Sequence, residues 1–213
     1  MKKAFVLAAS AFTLALSAPS FAQFGNIGGA LGNLTGAKSG SANAGADVGG
    51  QQDQLVRSYV SAGKEVLTAN GQIASALGIK AQAVNAAATS DTLSASEIEA
   101  QDKAISADSA AISEALKSGA SLKDAEAKAK YSQGLISLTK GVKKYVDMGK
   151  DAKGFATGMA GVSPLQLGKL QSGMYIVQNL PGSVGNLSGV LKSAIDFART
   201  NGVEVPKDAT SLL

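Results

Sequence analysis

The sequence predicts an all-α protein, an up-and-down helical bundle of about four to five helices with Ala/Gly-rich seams. Three observations carry this expectation. Apolar residues recur at three- and four-residue steps through most of residues 51–202. Capping and breaking signals divide that stretch into segments. Alternation of the kind a half-buried strand needs is missing, and 38 alanines with 25 glycines supply small residues for close helix contact.

Residues 1–22 read as a Sec-type signal peptide. Lys2 and Lys3 form a positive start, Ala4 to Leu16 is apolar but too short to span a bilayer, and Pro19 breaks the segment. Ser20-Phe21-Ala22 puts small residues at the two positions a signal peptidase inspects, so cleavage is expected after Ala22. The expected product is periplasmic or secreted, with no transmembrane span in the mature chain.

Residues 23–50 hold nine glycines between Phe24 and Gly50 and almost no charge. They read as a flexible lead-in. A sharper reading notes that Gly28, Gly32, Gly36 and Gly40 recur every four residues, as candidate close-packing glycines on one helix face. The octet from Gly29 to Gly36 is also echoed by Gly182 to Gly189, with five identities.

The first helical stretch of the bundle domain, 51–202, is expected to run to about Ala88. Val56, Tyr59, Gly63, Val66, Asn70, Ile73, Leu77 and Val84 form its stripe, and Asn70-Gly71 is a point of kinking or breakage. Thr89 to Leu93 is the turn. Ser94 with Glu97 forms a capping box that starts the second helix. Ile98, Ile105 and Ile112 repeat every seven residues along it, and Gly119 ends it.

Ser121 is expected to cap the third helix, with Asp124 favoured near its positive end. A small-residue stripe from Leu122 to Ala156 makes this helix long, weakened by Gly149, Gly154, Gly158 and Gly161. Ser163-Pro164-Leu165-Gln166 starts another helix, with Leu167, Leu170, Met174 and Val177 as its stripe and Pro181 as its stop. A last helix carries Val184, Leu187, Leu191, Ile195 and Ala198 and closes at Asn201-Gly202. The tail, 203–213, is expected to be extended.

Chemistry is restricted by what is missing. With no His and no Cys, a Ser-His-Asp triad, a thiol nucleophile, a thiolate metal site and a disulfide are all excluded. Asp147 and Asp151 sit among lysines and read as intrahelical ion pairs rather than metal ligands. Glu97, Glu99 and Asp102 are explained by the positive end of their helix. Neither a nucleophile elbow nor a phosphate loop occurs. The expectation is therefore not an enzyme, with no cofactor and no metal.

Charge is the most usable functional hint. Residues 51–127 hold 6 basic and 10 acidic side chains, whereas 128–207 hold 11 basic and 4 acidic. Lys140, Lys143, Lys144, Lys150 and Lys153 form a candidate basic binding face. Two arginines and few aromatics disfavour nucleic acid as partner. The expected function is binding or assembly with an unknown protein or anionic envelope component, a homo-oligomer included. The alternative is a carrier that holds an apolar or lipid-like ligand between helices, with Tyr131, Tyr145, Phe155, Met159, Met174, Tyr175 and Phe197 as the large side chains that would line its cavity.

Overall fold

The computed structural model describes residues 48–81 and 93–213. The expected signal peptide, the glycine series Gly28, Gly32, Gly36 and Gly40, the first octet of the echo, Val84 and most of the turn at 89–93 lie outside the described residues. Within them the fold is all-α, with five helices, one further α-helical turn, two 3-10 turns and no strand.

Helix α1, Val48–Leu77, begins inside the stretch expected to be flexible, and its first residue is buried. It passes through Asn70-Gly71 without a break. The reason is tertiary: Asn70 is fully buried, and its Nδ2 donates across to the Ile105 carbonyl and Ser109 Oγ, each at 3.4 Å. The helix stops eleven residues before Ala88 because Gly78 turns left-handed at φ +70°. Ile79 N–H then bonds the Ala74 carbonyl and Gly78 N–H that of Ser75, which satisfies the helix end.

Helix α2, Ala95–Lys117, has the expected capping box. Ser94 Oγ accepts from Glu97 N–H, and Glu97 Oε2 accepts from Ser94 N–H at 2.7 Å. Ile98, Ile105 and Ile112 are buried on one face, and Gly119 at φ +81° ends the run.

Helix α3, Ala125–Asp147, is capped by Asp124 rather than Ser121. The Asp124 carboxylate accepts from Ala127 N–H at 2.8 Å, a charge-assisted bond that a serine three residues earlier cannot match. The long helix expected here is interrupted at Met148, and α4, Gly149–Gly158, follows directly. Backbone bonds continue across the joint, from Met148 N–H to Lys144 and from Ala152 N–H to Met148.

The Ser163-Pro164-Leu165-Gln166 signal makes only one turn, Pro164–Leu167, and the serine side chain caps nothing. Leu165 is exposed. The main helix starts later: α5, Gln171–Thr200, runs straight through Pro181. Pro181 is exposed, while Ile176, Leu180, Leu187 and Leu191 are buried on the opposite side. Packing on both sides of the proline outweighs the one backbone bond it removes. The two C-terminal helices expected from sequence are therefore one. Asn201-Gly202 does close it, with Gly202 at φ +65°. The tail is not extended throughout. Val203 and Ala209 are buried, and Thr210–Leu212 forms a 3-10 turn.

Helix α1 is the centre of the bundle and touches α2, α3, α4 and α5, with its largest contact against α3. Glycines permit that approach. A Cβ on Gly134 would lie 2.6 Å from Ile73 Cγ1, and one on Gly141 would lie 2.7 Å from Val66 Cγ2. Gly173 likewise receives the Phe155 ring, 2.5 Å from a notional Cβ. Gly134 and Gly141 lie seven residues apart and so share one face of α3, which gives a close seam with α1. The stripe expected from Leu122 to Ala156 is not that seam, since its Ile136 and Val146 are exposed.

Candidate functional site

Three aromatic side chains and one carboxylate meet where α1, α2, α3 and α5 converge. Tyr59 comes from α1, Asp102 from α2, Tyr145 from α3 and Tyr175 from α5. Tyr59 is fully buried, and its hydroxyl donates to Asp102 Oδ2 at 2.8 Å and Oδ1 at 3.0 Å. Tyr175 donates to Oδ2 at 3.1 Å. Ser183 Oγ lies 3.3 Å from the Tyr59 hydroxyl. The Tyr145 ring meets Tyr59 edge-on, with centroids 5.0 Å apart.

Asp102 has no cationic partner among the described residues. Lys103, next to it in sequence, pairs with Glu99 at 2.7 Å. Burial pushes the Asp102 carboxyl above its ordinary range, against the two tyrosine hydroxyls that pull it down. Burial also holds the phenols of Tyr59, Tyr145 and Tyr175 well above the usual tyrosine value, and the nearby carboxylate adds to this. Tyr131, the fourth tyrosine, is separate: it is buried and donates to the Ala194 carbonyl at 3.0 Å.

Beside this cluster a cleft of about 310 Å³ opens between α2 and α5. One wall carries Asp102, Ser106, Ser109 and Ser113, three to four residues apart, and the other carries Ser183 and Asn186. Tyr145 and Leu187 are also among its lining residues. Its volume is at the lower end of the ~300–1,000 Å³ range of small-molecule sites. Of the large side chains expected to line an apolar cavity, Tyr131, Tyr145 and Phe155 are core residues, and Tyr145 alone reaches this cleft.

The sequence-predicted lysines lie elsewhere. Lys140, Lys143, Lys150 and Lys153 are exposed along α3 and α4, and Lys144 is half-buried. Lys143 pairs with Asp147 at 3.0 Å, as expected for an intrahelical pair. Lys144 reaches across to α1, bonding Glu65 at 3.1 Å and Ser61 at 3.0 Å. Two large apolar side chains are exposed on the same helix, Ile136 at 41% and Val146 at 44%.

Among the described residues there is no group of three or more metal-ligating side chains, and no helix is long and apolar enough to cross a membrane. No family model, curated protein or solved structure matches the chain.

Proposed function

We propose that this is an exported, non-enzymatic helical-bundle protein that works by binding or assembly at the cell envelope. The contact surface is the outer face of α3 and α4. One observation carries this reading: Lys140, Lys150 and Lys153 stand exposed beside the exposed Ile136 and Val146. Ile136, Lys140 and Lys150 also fall at helical spacing, on one side of the α3–α4 run, where Lys143 is paired with Asp147. Cations interleaved with apolar groups suit an anionic partner, because charge attracts it and apolar contact then holds it. Lys144, tied to Glu65, contributes to the bundle rather than to this surface.

The test is fractionation of native cells that express the protein or its Lys140→Glu, Lys150→Glu, Lys153→Glu variant. The wild type should sediment with the envelope fraction and be released by salt, and the variant should be released without it. Equal fractionation of the two proteins would remove the basic face from the mechanism. N-terminal sequencing of the same material should give Gln23 as the first residue. A chain that retains its leader would contradict export by cleavage.

A further inference from the structure

We propose that the cleft between α2 and α5 binds a compact organic ammonium ion that also carries hydroxyl groups, with Asp102 as the anionic anchor. The proposal is independent of the α3–α4 surface. It starts from the acceptor capacity of Asp102. A carboxylate offers about four lone-pair positions across its two oxygens. Both tyrosines use Oδ2, at 2.8 and 3.1 Å, whereas Oδ1 receives only the longer branch from Tyr59 at 3.0 Å. Oδ1 therefore keeps room for another donor, on a side chain that lines the cleft.

Charge decides what that donor is. Among the described residues, the groups around Asp102 are Tyr59 from α1, Tyr145 from α3, Tyr175 and Ser183 from α5, and Glu99 on its own helix. None of them carries positive charge. A half-buried carboxylate without a counter-ion is costly, and an arriving ammonium relieves that cost where a neutral group would not. Two tyrosines also orient the carboxylate before the ligand arrives, which lowers the ordering needed on binding.

The rest of the cleft selects for hydroxyls. Ser106, Ser109, Ser183 and Asn186 each donate and accept, so they match alcohol groups in either direction. The volume of about 310 Å³ holds an amino alcohol or amino sugar and excludes a long acyl chain.

Calorimetric titration of the full-length protein with glucosamine, N-acetylglucosamine, ethanolamine and ethylene glycol tests this. Tyrosine emission gives a second readout, unobscured because the chain has no Trp and three of its four tyrosines surround Asp102. Glucosamine or ethanolamine should bind saturably, and the uncharged counterparts should bind about tenfold more weakly or not at all. Asp102→Asn should weaken the amine by about tenfold or more. Ala110→Leu, at an exposed position of the cleft lining, should block the amine without touching the tyrosine network, and it decides the matter if Asp102→Asn does not fold. Failure of both amines to bind would overturn the proposal. So would equal binding of the charged and uncharged members, or amine binding that survives whichever variant folds.

Discussion

The phenol of Tyr59 donates to both oxygens of Asp102, at 2.8 and 3.0 Å, across 43 residues of sequence. This bond ties α1 to α2 at a point where the tyrosine is fully buried. Hydrogen bonds to a charged group contribute roughly 1.5–3 kcal/mol, so Tyr59→Phe should lower stability by about that much in urea denaturation. Tyr175→Phe should cost less, because Tyr175 is only half-buried and water can replace its hydroxyl. The reverse order of the two variants would show that the Tyr59 bond is not the principal tie.

Asp102 also gives a pH signature. Its native pKa is raised by burial, so the folded protein keeps this proton at pH values where the unfolded chain, near ~3.9, has lost it. Its contribution to stability is fully present below the unfolded pKa and is lost as pH rises through the native value. Asp102→Asn removes this titration. The variant should therefore gain on the wild type as pH rises through that window, and the gap should be flat above it. Urea midpoints of both proteins along a pH series measure the gap. A gap that moves toward the wild type with rising pH would mean that the carboxylate is stabilised, not penalised, by its surroundings.

Much of the fold was legible because local signals and packing agree. The Ser94–Glu97 box, the Ile98, Ile105 and Ile112 repeat, and the stops at Gly119 and Gly202 all hold. Sequence reasoning failed where distant contacts override a local rule. Pro181 does not end its helix because Leu180 and Leu187 are anchored on either side of it. Asn70-Gly71 does not break α1 because α2 supplies acceptors for the asparagine.

The Asp102 cluster was missed for the same reason, since its members lie 43 and 73 residues apart. A usable signal was nonetheless present. Asp102 is four residues after Ile98 and three before Ile105, which places an acid on the buried face of α2. The favourable charge at a helix start explains Glu97, which lies in the first turn, but not Asp102, which lies two turns into α2. Tyr59, a phenol within a buried stripe, needed a partner and pointed to the same conclusion.

The glycines divide into two groups with opposite expected behaviour. At Gly134 an added Cβ would meet Ile73 Cγ1 at 2.6 Å and the Ala69 carbonyl and Ile73 amide at 3.1 Å. Backbone atoms cannot turn aside, so Gly134→Ala should force α1 and α3 apart and cost about 1–3 kcal/mol. Gly189, exposed in the interior of α5, has nothing within 4 Å of its notional Cβ. Gly189→Ala should stabilise the protein by roughly 0.5–1 kcal/mol, because alanine loses less backbone entropy on entering a helix. Thermal melts of the two variants check the contrast. Destabilisation by both would mean that the surface of α5 at Gly189 is covered.

Gln101 supplies the last expectation. Its side chain is 3% exposed, and among the described residues neither its amide nitrogen nor its amide oxygen has a partner. It packs over Gly63, where an added Cβ would lie 2.8 Å from its Cδ. Gly63 thus makes room on α1 for a large polar side chain that gains no hydrogen bond in return. An unsatisfied buried amide costs about 1–3 kcal/mol, and methionine keeps the length and flexibility of glutamine without polar atoms that need partners. Gln101→Met should therefore raise stability by about 1 kcal/mol or more, whereas Gly63→Ala should lower it by crowding the same side chain. The two variants together separate polarity from volume. If Gln101→Met destabilises while Gly63→Ala behaves as expected, the amide must have a polar partner in the folded protein, and α1 and α2 would be joined there by a hydrogen bond in addition to the Tyr59–Asp102 tie.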